Sequence, residues 1–175
     1  MREWSLHILD LVENSLRAGA HHVRVSVTDL PQADRMEIAV DDDGSGLGIT
    51  SDQATDPFYT TKPGKRTGLG LSLLRFHAEQ AGGGLTLGAS ELGGLRAVAV
   101  LKRSHVDRNP LGDLASTLSG VVASSAPDVV LEVVLGSGQR RMCVSTAGNG
   151  APSVALALHV EERIRQMLSE LSIEG

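Results

Sequence analysis

The chain has 175 residues, 41% of them hydrophobic and 21% charged, a formal net charge of −5 and one cysteine. That length accommodates one domain, or one domain with a small appendage, around a substantial core. The acidic balance without a Lys/Arg run argues against nucleic-acid binding, no stretch approaches the ~18 apolar residues of a membrane span, and the lone Cys143 excludes an internal disulfide framework. Glu3, Asp10 and Glu13 interrupt any leader-like apolar run, so the sequence predicts a soluble, cytoplasmic protein. Aromatics are only 2%, so the core is expected to be aliphatic.

Glu3 to Ala18 has helical periodicity, ending near Gly19. Trp4, Ile8, Leu11, Val12 and Ser15 fall on one face, and Glu3, His7, Asp10, Asn14 and Arg17 line up as a second stripe. Asp and Asn are mediocre helix formers, so that stripe is either solvated surface or part of a site. HVRVSV (22–27) and MEIAV (36–40) alternate as strands do, with a turn around Pro31, and the second runs into DDDGSGLG. Residues 49–57 read as a short polar loop leading into FYTTKPGKRTGLGLS. A helix is predicted from Leu69 to Ala81, stopped by Gly82, Gly83 and Gly84, and GLTLGA and LRAVAVL read as a hairpin around ELGG.

Composition shifts after Lys102. SHVDRNP reads as a linker, with Pro110 placed to start a helix from Leu111 to Ser124. DVVLEVVL and RRMCVS flank GSGQ as a second hairpin, and Ser153 to Leu171 is predicted as the last helix. The expected organisation is residues 1–103 as one domain and 104–175 as an α-β-β-α extension. Cys143, inside a predicted strand, is expected to be a small core residue rather than a nucleophile.

Three stretches suggest chemistry. Asp42, Gly44 and Gly46 form Asp-x-Gly-x-Gly at a strand end. A carboxylate there can accept a hydrogen bond from an exocyclic amine such as adenine N6, and glycines let the backbone approach a flat base. A turn or an acidic loop is the plainer alternative. TGLGLS (67–72) opens a helix, where free N–H groups suit phosphate; it is not a P-loop, and a loop before a core helix is the alternative. FYTTK offers Thr61 and Lys62, a hydroxyl and a cation able to meet a terminal phosphate, or else a solvated loop. In the first helix the Asn14 carbonyl is a hard ligand suited to Mg²⁺, and Asp10 one turn earlier is placed to polarise a water.

The order of these pieces resembles the GHKL superfamily of gyrase, heat-shock chaperone, histidine kinase and mismatch-repair ATPases, over roughly Trp4 to Lys102. LVENSLRAGA is similar to the mismatch-repair version of the first motif, and DPFYTTK followed by TGLGLSLL is similar to the catalytic domain of bacterial sensor histidine kinases. The resemblance implies a Bergerat fold, α+β, with a mixed sheet, helices on one face and ATP held between them. It implies Asn14 as Mg²⁺ ligand, Asp42 at the adenine, Gly44 and Gly46 in the base-side loop, Thr61 and Lys62 bordering the lid, and Gly68, Leu69 and Gly70 offering N–H groups to phosphates. VDRNPLGDL and PDVVLEVV faintly resemble small stand-alone ATP-binding proteins associated with iron-only hydrogenase clusters, which favours an accessory role.

Three departures bear on activity. Asp10 stands where hydrolysing members carry glutamate, and misplacing a base by about 1 Å can cost on the order of 100-fold. Hydrolysis is then expected to be slow, or to use Glu13, which points about 100° away from Asn14 around the helix. Leu95 replaces the threonine that usually follows the last glycine pair and supports the base. The loop between the glycine boxes leaves little room for a long lid. None of the six histidines lies in a phospho-acceptor helical hairpin. The expected function is therefore Mg-ATP binding coupled to a protein partner, as a phospho-acceptor or through ATP state, with homodimerisation through the extension as a possibility. The alternatives are a non-hydrolysing switch and a degenerate interaction module.

Overall fold

The computed structural model describes residues 3–46, 48, 51–55, 69–149 and 151–173. Helix α1 is Trp4–Arg17, strand β1 His22–Leu30 and strand β2 Arg35–Asp42, the two strands joined by a 3-10 turn at Pro31–Ala33. A five-residue helix α2, Ser51–Thr55, lies where the sequence suggested only a polar loop; a single turn leaves no apolar periodicity to read. Helix α3 is Leu69–Gln80, and β3 (Gly84–Ala89) and β4 (Leu95–Lys102) form the expected hairpin. Then come α4 (Leu114–Ser124), β5 (Val130–Ser137), β6 (Arg140–Ser145) and α5 (Val154–Leu171).

The six strands form one mixed sheet in the order β3-β4-β2-β1-β5-β6. All neighbours are antiparallel except β1 and β5, which run parallel with Val23, Val25 and Val27 beside Leu131, Val133 and Leu135. Alternation in β1 sends its valines to one face and Arg24, Ser26 and Thr28 to the other. The valine face continues through Ile38 and Val40 on β2 and Ala97 and Ala99 on β4. Helices cover this face in a single aliphatic core that includes Trp4 and Ile8 of α1, Leu74 of α3, Leu118 of α4 and Ile164 of α5. Residues 104–175 therefore supply two strands to the same sheet and two helices to the same core.

Helix α1 is tied at both ends. Glu3 provides no side-chain cap; the Trp4 N–H donates to the Pro110 carbonyl at 3.0 Å and the Ser5 N–H to that of Leu111 at 2.8 Å. These contacts satisfy amides that a helix start otherwise leaves free. They also correct the expected start of α4. Residues 110–112 lie outside any helix, packed against the start of α1 with Gly112 at φ 76°, and α4 begins only at Leu114, capped by the Asp113 carboxylate accepting from Ser116 N–H at 3.0 Å. Gly19, at φ 79°, ends α1 as the sequence predicts.

Cys143 is in β6, as expected of a strand residue, but it is exposed and is no part of the core. It pairs with Val134 on the face the helices leave open, with Sγ 3.7 Å from Glu132 Oε1. Partial burial, and then the neighbouring carboxylate, push its thiol pKa up and away from nucleophilic character.

Between α1 and α3, His7 Nε2 and His77 Nδ1 lie 2.8 Å apart, one ring donating and the other accepting. Burial, and next His77, lower the His7 pKa from the ordinary 6.5 to about 4, and burial lowers that of His77 as well. His7 Nδ1 has no partner among the described residues. The folded chain thus binds fewer protons than the unfolded chain between pH 6.5 and about 4. The stability from neutral His7 is fully present above pH 6.5 and is lost as pH falls through that window. Urea unfolding should show a loss on the order of 1–2 kcal/mol from this group between about pH 7 and 5, and His7→Gln should flatten the dependence. An equally steep profile in the variant would contradict this.

Candidate nucleotide site

Strand β2 ends in two aspartates that point to opposite faces of the sheet. Asp42 faces the helices and is 3% exposed. Its Oδ2 accepts from Ser15 Oγ of α1 at 2.5 Å, and its Oδ1 accepts from the main-chain N–H of Gly44 and of Leu95, each at 3.0 Å. A carboxylate offers about four lone-pair positions, so three donors leave one acceptor position over. Periodicity alone does not mark Ser15, which falls on the apolar stripe of α1; a hydroxyl among buried aliphatics is the sequence signal that points to it. Leu95 carries no hydroxyl, yet its main chain still supports the carboxylate.

The loop after β2 lies against the end of α1. The Ser45 N–H donates to the Ala18 carbonyl at 3.1 Å, and a Cβ on Gly44 would come 3.1 Å from that same oxygen. Gly46 has φ 69°, a left-handed conformation that glycine takes without strain. The Asp43 carboxylate accepts from the His21 and His22 N–H groups, each at 2.8 Å, which fixes the loop to the start of β1. Gly94 closes the floor: its N–H donates to the Asp42 carbonyl at 2.9 Å, and a Cβ there would collide with Asp42 Oδ1.

The other end of the site is built from α1 and the start of α3. Asn14 Nδ2 donates to Asp10 Oδ2 at 3.2 Å, so the Asn14 carbonyl oxygen remains as a hard donor. Asp10 lies directly against Gly70, where a Cβ would collide with its Oδ2. The structure therefore brings Asp10 and Asn14 together with the first turn of α3, where Leu69 and Gly70 begin a twelve-residue helix whose opening N–H groups have no partner within it. Glu13 stands apart from them, exposed and 3.4 Å from Arg17 on the same helix. Thr61, Lys62 and Gly68 lie outside the described residues. Among the described residues no group of three His, Cys, Asp or Glu side chains is arranged to hold a metal. A cation here would thus depend on Asn14 together with oxygens of a bound ligand.

A mixed sheet covered on one face by helices, with a buried carboxylate at a strand end and a helix start across α1 from it, has the Bergerat architecture of ATP-binding domains. Residues 5–105 match the family described as histidine kinase-, DNA gyrase B-, and HSP90-like ATPase. The chain belongs to this family, and its matching segment is an ATP-binding domain of that type.

Among curated proteins it is 39% identical over 66 residues to sensor kinase CckA of Brucella abortus (strain 2308). That segment is 37% of this chain and only 7% of the relative's length. Among solved structures, the N-terminal domain of a DNA repair protein aligns over 86% of this chain and 54% of its own, with TM-score 0.55 and 13% identity. The ATP binding domain of PrrB from Mycobacterium tuberculosis aligns over 55% of this chain and 64% of its own, with TM-score 0.42 and 29% identity. No helix among the described residues is long and apolar enough to cross a membrane.

Close packing around Asp42 yields a ranking. Gly94→Ala forces its new methyl into the carboxylate and should destabilise the fold by about 1–3 kcal/mol, whereas Gly44→Ala needs only small shifts and should cost less. Guanidinium unfolding midpoints measure the order, and a reversed ranking contradicts this packing.

Proposed function

We propose that the chain binds Mg-ATP with the base at Asp42 and the phosphates between Asn14 and the first turn of α3, and that it acts on a protein partner by transferring the γ-phosphoryl group to it. The observation that carries this reading is that one helix reaches both ends of the site. Ser15 of α1 holds the Asp42 carboxylate, and Asp10, five residues earlier, touches Gly70. About 7.5 Å of helix axis separates those two contacts.

The residues fit the ligands. Asp42 keeps an acceptor position for an exocyclic amine, which favours adenine over a base with an oxygen at that position. Asn14 presents its carbonyl oxygen, and the α3 start presents N–H groups where negative charge is stabilised. A bound Mg²⁺ would neutralise phosphate charge as it develops in phosphoryl transfer. Asp10 holds the Asn14 amide in place and stands where it can accept a proton from a water or an acceptor hydroxyl. Likeness over 66 residues to a sensor kinase supports phosphoryl transfer to a protein.

Asp10 also favours a second reading, in which the nucleotide is held rather than spent and the partner responds to ATP state. An aspartate reaches one methylene less far than a glutamate toward an attacking water, so hydrolysis without a partner is slow. Residues 104–175, joined to α1 through Pro110 and Leu111, are then the natural platform for the partner or for a second copy of the chain.

Two measurements separate these readings. Purified protein incubated with γ-labelled ATP and the proteins that co-purify with it should yield a labelled protein under the first; absence of label leaves the second. Asp10→Glu should raise the basal ATPase rate about tenfold or more. An unchanged rate removes the argument from side-chain reach.

A further inference from the structure

Asp41 is the neighbour of Asp42 but belongs to the opposite face of the sheet, and there it is 1% exposed. Arg96, its cross-strand partner on β4, donates from Nη1 to Asp41 Oδ1 at 2.9 Å and to Oδ2 at 2.8 Å. Ser90 Oγ donates to Oδ1 at 3.2 Å. Arg24, the cross-strand partner on β1, brings a second positive charge; its pKa is raised chiefly by its hydrogen bond to Glu132, with Asp41 adding a smaller electrostatic contribution. A carboxylate this deep is no solvated surface pair, for which little effect would be expected.

Ser90 is also the pivot of the turn between β3 and β4. Its N–H donates to the Gly94 carbonyl at 2.9 Å, its carbonyl accepts from Gly93 at 3.1 Å, and its hydroxyl accepts from the Leu92 N–H at 3.1 Å. The same turn presents Gly94 and Leu95 to Asp42: Gly94 N–H meets the Asp42 carbonyl and Leu95 N–H meets Oδ1. The outer-face contacts of Asp41 and the inner-face contacts of Asp42 thus hold one turn from two sides. No described contact runs from Asp41, Arg96 or Ser90 to Asp10, Asn14 or Gly70.

We propose that Asp41, Arg96 and Ser90 are positioning residues for Asp42: they clamp the β3–β4 turn onto the end of β2 and so set the angle of the base-recognising carboxylate, and with it the preference for a purine bearing a 6-amino donor. This rests on the reading of Asp42 given above. A carboxylate aimed at a donor discriminates strongly against an analogue lacking it, and a misplacement of about 1 Å can cost on the order of 100-fold. Loosening the clamp therefore weakens base selectivity more than it weakens the phosphate end of the site.

The test is calorimetric titration of Mg-ATP and of Mg-inosine triphosphate, which carries a 6-oxygen in place of the amine, into wild type, Arg96→Ala, Arg96→Lys and Ser90→Ala. Wild type should prefer ATP. In Arg96→Ala the ATP-to-ITP affinity ratio should fall about tenfold, mostly through weaker ATP binding, with a smaller fall in Ser90→Ala and partial recovery in Arg96→Lys. If Arg96→Ala does not fold, Ser90→Ala carries the comparison. Variants that lose affinity for both nucleotides equally, or keep the wild-type ratio, overturn the clamp while leaving the Asp42 reading intact. A wild type that binds the two equally overturns both.

Discussion

One short hydrogen bond, Ser15 Oγ to Asp42 Oδ2 at 2.5 Å, joins the first helix to the end of the central strand β2. Both partners are buried, so the contact has no water to compete with it, and leaving either partner unmatched would be costly. It fixes how α1 lies on the sheet. That setting in turn decides where Asp10 and Asn14 fall relative to α3, because all three residues ride on the same helix. The Asp42 end and the Asp10–Asn14 end of the candidate site are two consequences of one helix placement.

The C-terminal residues reinforce that placement. The Pro110 and Leu111 carbonyls take the first amides of α1, β5 lies parallel beside β1, and α4 packs alongside α1 within the same core. Gly112 has no room for a side chain because Glu3 and Ser5 occupy the space. Residues 104–175 are thus coupled to α1 through main-chain hydrogen bonds and close packing. That is the physical basis for assigning this part of the chain to partner contact in the proposed function.

Much of this was legible in the sequence. The alternation of β1, β2 and the β3–β4 hairpin, the apolar stripe of α1 and the Asp-x-Gly-x-Gly at a strand end follow from side-chain periodicity and glycine chemistry, which are local. What was not legible is tertiary. Parallel pairing of Val23 with Leu131 joins segments over a hundred residues apart, and no local rule selects β1 as the neighbour of β5. The helix expected at Leu111 starts at Leu114 because the preceding carbonyls serve another helix. Cys143 lies on the open face because strand alternation puts it with Arg141 and Ser145, while Met142 and Val144 share the more apolar face and pack on the core beside Leu135 and Val133. Ser15 and the main chain of Gly94 and Leu95 acquire their role only when three separate segments meet at Asp42.

The central claim is that Asp42, held by Ser15, Gly44 and Leu95, recognises the base of bound ATP. Isothermal titration of Mg-ATP into wild type and Asp42→Asn tests it most directly, since the amide preserves shape while replacing one acceptor oxygen with a donor. The account predicts binding by wild type and a loss of affinity of about 100-fold or more in a variant that remains folded. Equal affinity in the two proteins, or a wild type that takes up no ATP, would contradict it.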